Sequence, residues 1–207
     1  MNGGSPEWRT QIPMRTPVGY IMLYRYLTFS IACYSMENTE INMDCDAELV
    51  DTQSLGRNYF RLARLTMIAG TEQIRKCILN NLPAGQTLHT VLDRNRNKME
   101  DLRRRHIITE RQWSLLYPQN SNVNLARIDI TLWIMLLKNI VPPSRLPVRN
   151  IRWDKAPSDD ENEWVHDVLR IRETRNSLSH LIRPELDNDS FNRLWKYLGN
   201  ALLRLDW

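Results

Sequence analysis

Three polar residues near the carboxyl end of the chain could carry out acid-base chemistry. Arg175, Asn176 and His180 stand in the run RETRNSLSHL. On a helix, Asn176 and His180 share a face because they are four residues apart, so the amide could fix one nitrogen of the imidazole ring. A histidine, whose ordinary pKa is about 6.5, could move a proton at a ribose 2'-hydroxyl or a leaving 5'-oxygen. An arginine could stabilise the charge that grows on the phosphate, so these residues meet the minimum requirement for cleaving RNA without a metal ion.

The helix that must carry these residues has an apolar stripe, and Arg175 interrupts it. The members of the stripe follow each other at steps of four, three, four and three residues, and they are Trp164, Val168, Ile171, Arg175 and Leu178. An unpaired guanidinium on such a face is costly, and its planar fork is best used on a carboxylate or a phosphate. Spacing alone leaves two interpretations open. Arg175 could bind a phosphate, or it could pair with Glu173 or an acid on a neighbouring helix while His180 caps carbonyls.

Apolar residues recur at three- and four-residue steps through most of the chain after residue 50, which predicts an all-α fold of five to six helices. Capping boxes at Thr109 with Gln112 and at Ser158 with Glu161 predict two helix starts, the second of which opens the helix that carries the motif. No run alternates with period two for long enough to predict a sheet. The remaining predicted helices cover residues 55–82, 87–106 and 125–140, and a last one starts near 187–190 and reaches the terminus.

Length and composition predict one folded domain with an extension. A chain of 207 residues with 42% hydrophobic and 25% charged residues has ordinary globular values. We expect residues 54–207 to form a helical domain and residues 1–50 to form a poorly packed, disordered extension. The apolar segment 18–35 resembles a signal peptide, but Arg25 interrupts it and it is shorter than the roughly 20 residues of a membrane span.

The three cysteines stand far apart, with no CxxC pair or His/Cys cluster among them; they are Cys33, Cys45 and Cys77. This spacing favours a reducing, cytoplasmic location and indicates no structural zinc. The sequence shows no P-loop, metal motif or dinucleotide fingerprint, so we expect no cofactor.

Positive charge is concentrated between Arg57 and Arg111, although the net charge of the whole chain is only +4. This segment holds twelve basic and five acidic residues, an excess of seven positive charges. Such a helical flank could bind phosphates without reading sequence, or it could be a solvated helix face. The candidate RNA-binding residues are Arg94, Arg96, Lys98, Arg103, Arg104 and Arg105. The tryptophans on apolar stripes, Trp113 among them, fit a core better than a base-stacking platform.

Three ordered blocks of the sequence resemble the HEPN superfamily. They are NYFRLARLTMIAGTEQIR at 58–75, WDKAPSDDENEWVHDVLRIRETRN at 153–176 and DNDSFNRLWKYLGNALLRL at 187–205. The superfamily motif, an arginine, a polar residue and a histidine on the penultimate helix, corresponds to Arg175, Asn176 and His180. Within the superfamily, the blocks are similar to the HEPN domain of the DAZ-interacting RING-type ubiquitin ligase. HEPN domains of this subgroup also occur at the front of invertebrate NACHT-type receptors.

The resemblance implies a HEPN-like helical bundle that forms a homodimer, in which two copies of the motif line one groove. In active members it implies a metal-independent endoribonuclease of defence or RNA turnover, with Arg175 stabilising the transition state, His180 moving protons and Asn176 orienting them. In other members it implies a non-catalytic adaptor or dimerisation module for ubiquitin-ligase or innate-immune signalling. The expected partners are RNA, a second copy or another protein, without DNA sequence readout or a membrane. Both a stand-alone HEPN protein and the front part of a longer protein fit this sequence.

Overall fold

The computed structural model describes residues 47–119 and 123–206. The expectations for residues 1–46, which include segment 18–35, Cys33 and Cys45, fall outside the described residues. Residues 47–205 belong to one compact unit.

The regular secondary structure of the described part of the chain is helical, and no strand occurs in it. Its α-helices are α1 (Ala47–Leu65), α2 (Thr71–Asn80), α3 (Leu88–Arg94), α4 (Arg96–Arg104), α5 (Glu110–Leu116), α6 (Ile130–Ile140), α7 (Trp164–Ser179) and α8 (Asn188–Leu205). A π-helical turn, Thr66–Gly70, makes α1 and α2 continuous, and only Asn95 separates α3 from α4. Besides two short 3-10 helices, Leu125–Arg127 and Pro143–Arg145, six α-helical bodies therefore result within the described ranges, and the predicted all-α bundle is confirmed.

Side-chain caps explain where several helices begin. The predicted capping box at Thr109 is present, because its hydroxyl accepts from the Gln112 N–H at 3.2 Å and Gln112 Oε1 accepts from the Thr109 N–H at 3.0 Å. Asp129 caps α6 by accepting from the Leu132 N–H at 2.8 Å. These caps satisfy backbone donors that have no partner within the helix.

The predicted helix start at Ser158 is wrong, since α7 begins at Trp164. A capping box requires the Ser158 hydroxyl to accept from the Glu161 N–H. Here the hydroxyl instead donates its proton to the Glu161 carboxylate at 3.0 Å. The Glu161 N–H donates instead to the Ser158 carbonyl at 3.2 Å, which closes an isolated turn. The α6–α7 loop, residues 141–163, is therefore longer than predicted.

The predicted helix 87–106 is divided at Asn95, whose backbone leaves the helical region at φ −97° and ψ 12°. The Asn95 side-chain amide donates to the Val91 carbonyl at 2.8 Å, so it competes for an acceptor of the helix backbone.

Helix α6 lies in the core, as its apolar sequence predicts. Its large buried side chains include Leu132, Trp133 and Leu136, none more than 1% exposed. Helix α6 packs on α2, and α7 packs on α8 and on the π turn. The helix that carries the motif therefore packs against several other elements.

The π turn allows α7 to approach very closely. An added Cβ at Gly70 would lie 2.7 Å from Cγ2 of Ile171, closer than real Cβ atoms come to a neighbour. Thr66 is fully buried, and its hydroxyl donates to the Leu62 carbonyl at 2.8 Å. The crossing point between the two elements therefore lies one helical turn before Arg175.

Candidate functional site

The apolar stripe of α7 is buried on both sides of Arg175. Val168 and Ile171 are 0% exposed and Leu178 is 5% exposed, while Arg175 itself is half-buried. The helix therefore brings the guanidinium to the edge of the core, where it meets solvent over only part of its surface.

Within the described ranges, no carboxylate forms an ion pair with Arg175. Its Nη1 donates to Oδ1 of Asn176 at 3.2 Å. The expected partner Glu173 pairs instead with Arg172, whose Nη2 lies 2.6 Å from Glu173 Oε1. Residues two apart on a helix point to different sides, which explains why Glu173 does not serve Arg175. The interpretation of Arg175 as the partner of Glu173 is therefore wrong.

His180 is exposed and ends the helix. Its backbone N–H donates to the Asn176 carbonyl at 3.1 Å, and the Ser179 hydroxyl donates to the same carbonyl at 2.9 Å. The imidazole has no hydrogen bond to any residue that the structure describes. The predicted contact between the Asn176 amide and the His180 ring is therefore not formed; the Asn176 side-chain oxygen accepts from Arg175.

The structure thus brings Arg175 and Asn176 into direct contact and places His180 about one turn further along the same helix. A half-buried guanidinium and an exposed imidazole near the carboxyl end of α7 offer an anion-binding group and a proton carrier on one helix. Leu181 and Ile182 follow directly, and they are 39% and 101% exposed. The motif therefore borders an exposed apolar surface.

A buried ionic cluster at the other end of α7 was not predicted. Asp167 is 0% exposed and accepts from Arg170 Nη1 at 2.9 Å and from Arg204 Nη2 at 2.5 Å. Arg170 is also buried, and its Nη2 donates to the Ser158 carbonyl at 2.7 Å. The carboxylate of Asp167 raises the pKa of Arg204. The spacing of Asp167 and Arg170 could have indicated a pair, but nothing in the sequence brings Arg204 to them.

The α6–α7 loop is attached to α7 through Trp153. The Trp153 carbonyl accepts from Arg172 Nη1, and Lys138 Nζ lies 5.4 Å from the centroid of the Trp153 ring. Burial, followed by the charge of Arg172, lowers the pKa of Lys138. Arg172, like Arg170, therefore pairs with a carboxylate, whereas the described residues supply Arg175 only with the neutral amide of Asn176.

Five of the six candidate RNA-binding residues already interact with their own chain. Arg96 lies 3.2 Å from Glu100, and Arg103 lies 2.6 Å from Glu110. The other contacts are those of Arg104 and Arg105 with Asp101, at 3.2 and 3.7 Å, and of Lys98 with the Asn139 carbonyl, at 2.8 Å. Arg94 is exposed and has no partner in the described part of the chain. Exposed ion pairs contribute roughly 0–1 kcal/mol each, so phosphates could replace these carboxylates.

Aromatic rings lie beneath two of these arginines. The guanidinium of Arg103 lies 4.8 Å from the Trp113 centroid, and that of Arg96 lies 4.9 Å from the Tyr117 centroid. Trp113 is half-buried, whereas Trp133 is fully buried in the core. Because cations of the same chain lie over these rings, they are not open platforms for stacking bases.

The described residues contain no group of His, Cys, Asp or Glu that could hold a metal ion. No helix in the described ranges is long and apolar enough to cross a membrane. Cys77 is a free, buried cysteine, and burial raises the pKa of its thiol to about 12.

Comparison with known proteins identifies relatives of the chain. The family model described as DZIP3/hRUL138-like HEPN matches residues 85–207. The chain is 28% identical over 158 residues to a protein of Mus musculus and to one of Homo sapiens, each named E3 ubiquitin-protein ligase DZIP3. These alignments cover 73% of the chain but only 13% of each relative. No solved structure matches the chain.

Proposed function

The chain belongs to the DZIP3/hRUL138-like HEPN family, and we propose that it cleaves RNA without a metal ion at the carboxyl end of α7. The observation that carries this proposal is the environment of Arg175. Arg170 pairs with Asp167 and Arg172 pairs with Glu173, whereas Arg175 has no acidic partner in the described chain. A half-buried guanidinium that is held only by a neutral amide is suited to bind an anion.

The three motif residues have distinct roles in this reaction. The 2'-oxygen attacks the neighbouring phosphorus, the bond to the 5'-oxygen breaks, and the products carry a 2',3'-cyclic phosphate and a 5'-hydroxyl. His180 accepts the proton of the 2'-hydroxyl or donates one to the departing 5'-oxygen. Arg175 stabilises the negative charge on the phosphate oxygens, and Asn176 holds Arg175 through the 3.2 Å hydrogen bond.

Two copies of the chain together form the complete site. The reaction needs one group that accepts a proton and one that donates a proton, and the motif supplies one histidine per copy. The exposed Leu181 and Ile182 beside His180 are an apolar surface through which two copies would pair. Two-fold pairing brings the same surface of both copies together and places both histidines at one groove.

RNA reaches this groove by electrostatic attraction. The exposed arginines of α4 can exchange their carboxylate partners for backbone phosphates, and Arg94 is available from the start. Binding of this kind does not read sequence and weakens as the salt concentration rises. The reaction belongs to cytoplasmic RNA turnover or defence.

The test incubates purified protein with mixed RNA in EDTA and looks for fragments that end in cyclic phosphate. We expect Arg175→Ala and His180→Ala each to lower the rate by about 100-fold or more. Asn176→Asp should also abolish cleavage, because the carboxylate would pair with Arg175 and exclude phosphate. Asn176→Ala should retain more activity than Asn176→Asp.

Matched controls separate these effects from nonspecific loss of charge. Arg193→Ala removes an exposed arginine of α8, and His89→Ala removes an exposed histidine of α3 that lies 2.9 Å from Asp93. Both controls should cleave at the rate of the unmodified chain. Intact RNA at high protein concentration, together with a stable dimer in light scattering, would contradict the nuclease proposal and identify a non-catalytic dimerisation module.

A further inference from the structure

Ser158 lies in an exposed part of the α6–α7 loop and precedes an acidic run. The sequence there reads SDDE, and no other serine or threonine of the chain is followed by three consecutive acidic residues. Ser158, Asp159 and Asp160 are all exposed and lie outside the helices. A second enzyme could therefore reach the Ser158 hydroxyl and the two aspartates from solvent.

The Ser158 side chain lies beside a guanidinium that could receive a phosphate. Glu161 Oε2 accepts from the Ser158 N–H at 2.9 Å, from the Ser158 hydroxyl at 3.0 Å and from Arg152 Nη2 at 2.8 Å. Arg152 therefore shares an acceptor with the hydroxyl that would be modified. A phosphate at that position would compete with the Glu161 carboxylate for Arg152.

We propose that Ser158 is a phosphorylation site for a serine kinase that recognises acidic residues following its target. ATP supplies the phosphoryl group. The Ser158 Oγ forms a bond to the γ-phosphorus, the bond from that phosphorus to the β-γ bridging oxygen breaks, and ADP leaves. The hydroxyl proton passes to the catalytic carboxylate of the kinase. This proposal does not depend on RNA cleavage.

The phosphate changes the turn and then the start of α7. The esterified Oγ can no longer donate to Glu161, and the charge of about −2 repels that carboxylate. Arg152 then pairs with the phosphate, and the turn from Ser158 to Glu161 opens. The Ser158 carbonyl, which accepts from the buried Arg170 at 2.7 Å, moves with the turn. The modification therefore reaches the ionic cluster around Asp167.

The first experiment treats the purified chain with ATP and casein kinase 2, a kinase that prefers acidic residues after serine, and maps the modified residue by mass spectrometry. We expect one phosphate, located on Ser158, and none in Ser158→Ala. The double variant Asp159→Asn/Asp160→Asn should be modified at least tenfold more slowly. Asp154→Asn is the matched control, because Asp154 is exposed but precedes the serine, and its rate should be unchanged.

A peptide of residues 150–167 shows whether the folded loop exposes the site. Modification of the peptide but not of the folded chain would overturn the proposal, because the turn would then hide Ser158. The proposal would also be overturned if neither the peptide nor the folded chain were phosphorylated, or if the phosphate were found only on residues other than Ser158. An equal loss of rate in Asp154→Asn and in the double variant would show that the run after Ser158 is not what the kinase recognises.

Hydrogen exchange tests the structural consequence. In the phosphorylated chain we expect faster amide exchange in residues 161–167 than in the unmodified chain, and unchanged exchange in α6. If amide exchange in residues 161–167 is unchanged at full phosphorylation, the proposed effect of Ser158 phosphorylation on the start of α7 would be overturned.

Discussion

At the scale of single residues, Glu161 makes the stability of the folded chain depend on pH. The Ser158 N–H, aided by the Ser158 hydroxyl and Arg152, lowers the pKa of the Glu161 carboxyl to about 2. Because the folded chain favours the ionised carboxylate, this stabilisation is fully present above the unfolded pKa of about 4.3 and is lost as the pH falls toward 2. We expect the urea midpoint to decrease in this range, and the decrease to be smaller in Glu161→Gln, which keeps an oxygen acceptor without the charge. Equal pH dependence of the two proteins would contradict this assignment.

At the scale of elements, the crossing of α7 with the π turn requires a residue without a side chain at position 70. The added methyl of Gly70→Ala would lie 2.7 Å from Ile171 Cγ2, and overpacking of this kind typically costs about 1–3 kcal/mol. Gly199→Ala is the matched control, since its added Cβ would meet no described atom within 4 Å other than its chain neighbours and the backbone of its own helix. It should stabilise the chain by about 0.5–1 kcal/mol, because alanine favours the helix. Urea unfolding of both variants measures the difference, and stabilisation by Gly70→Ala would contradict the close packing.

Periodicity predicts the helical bodies well, since each buries a continuous apolar stripe, and the capping box at Thr109 fixes one start correctly. Side chains that compete with the backbone for hydrogen bonds are harder to predict. The Asn95 side chain donates to the Val91 carbonyl where one predicted helix divides. The Ser158 hydroxyl donates a hydrogen bond, whereas a helix cap would accept one. The apolar stripe of α7 correctly predicted that Arg175 interrupts a buried face, since Ile171 and Leu178 on either side of it are buried. The contact of Asn176 with Arg175, in place of His180, depends on side-chain conformations that the spacing does not determine.

At the scale of the whole molecule, Asp167 connects the first turn of α7 with the last turn of α8 through Arg204. Asp167→Asn would leave the buried guanidinium of Arg170 without its charge partner, and breaking a buried pair from one side costs about 3–5 kcal/mol. Arg204→Ala should cost less, because the Arg204 side chain is 38% exposed and Asp167 keeps Arg170. Urea unfolding would rank the two variants, with Arg193→Ala as the exposed control. A larger loss of stability in Arg204→Ala would contradict this ranking.

The sequence could not predict the ion pair of Asp167 with Arg204, because it depends on how α7 and α8 align in space.

The burial of Cys77 gives the folded molecule an internal chemical probe. Its thiol is carried by α2 and is buried in the core, and a pKa of about 12 leaves almost no thiolate at neutral pH. An alkylating reagent can therefore modify this sulfur only in molecules whose core has opened. Peptide-resolved alkylation of Cys77 would then report the frequency of those openings under native conditions, without a denaturant and without an engineered cysteine.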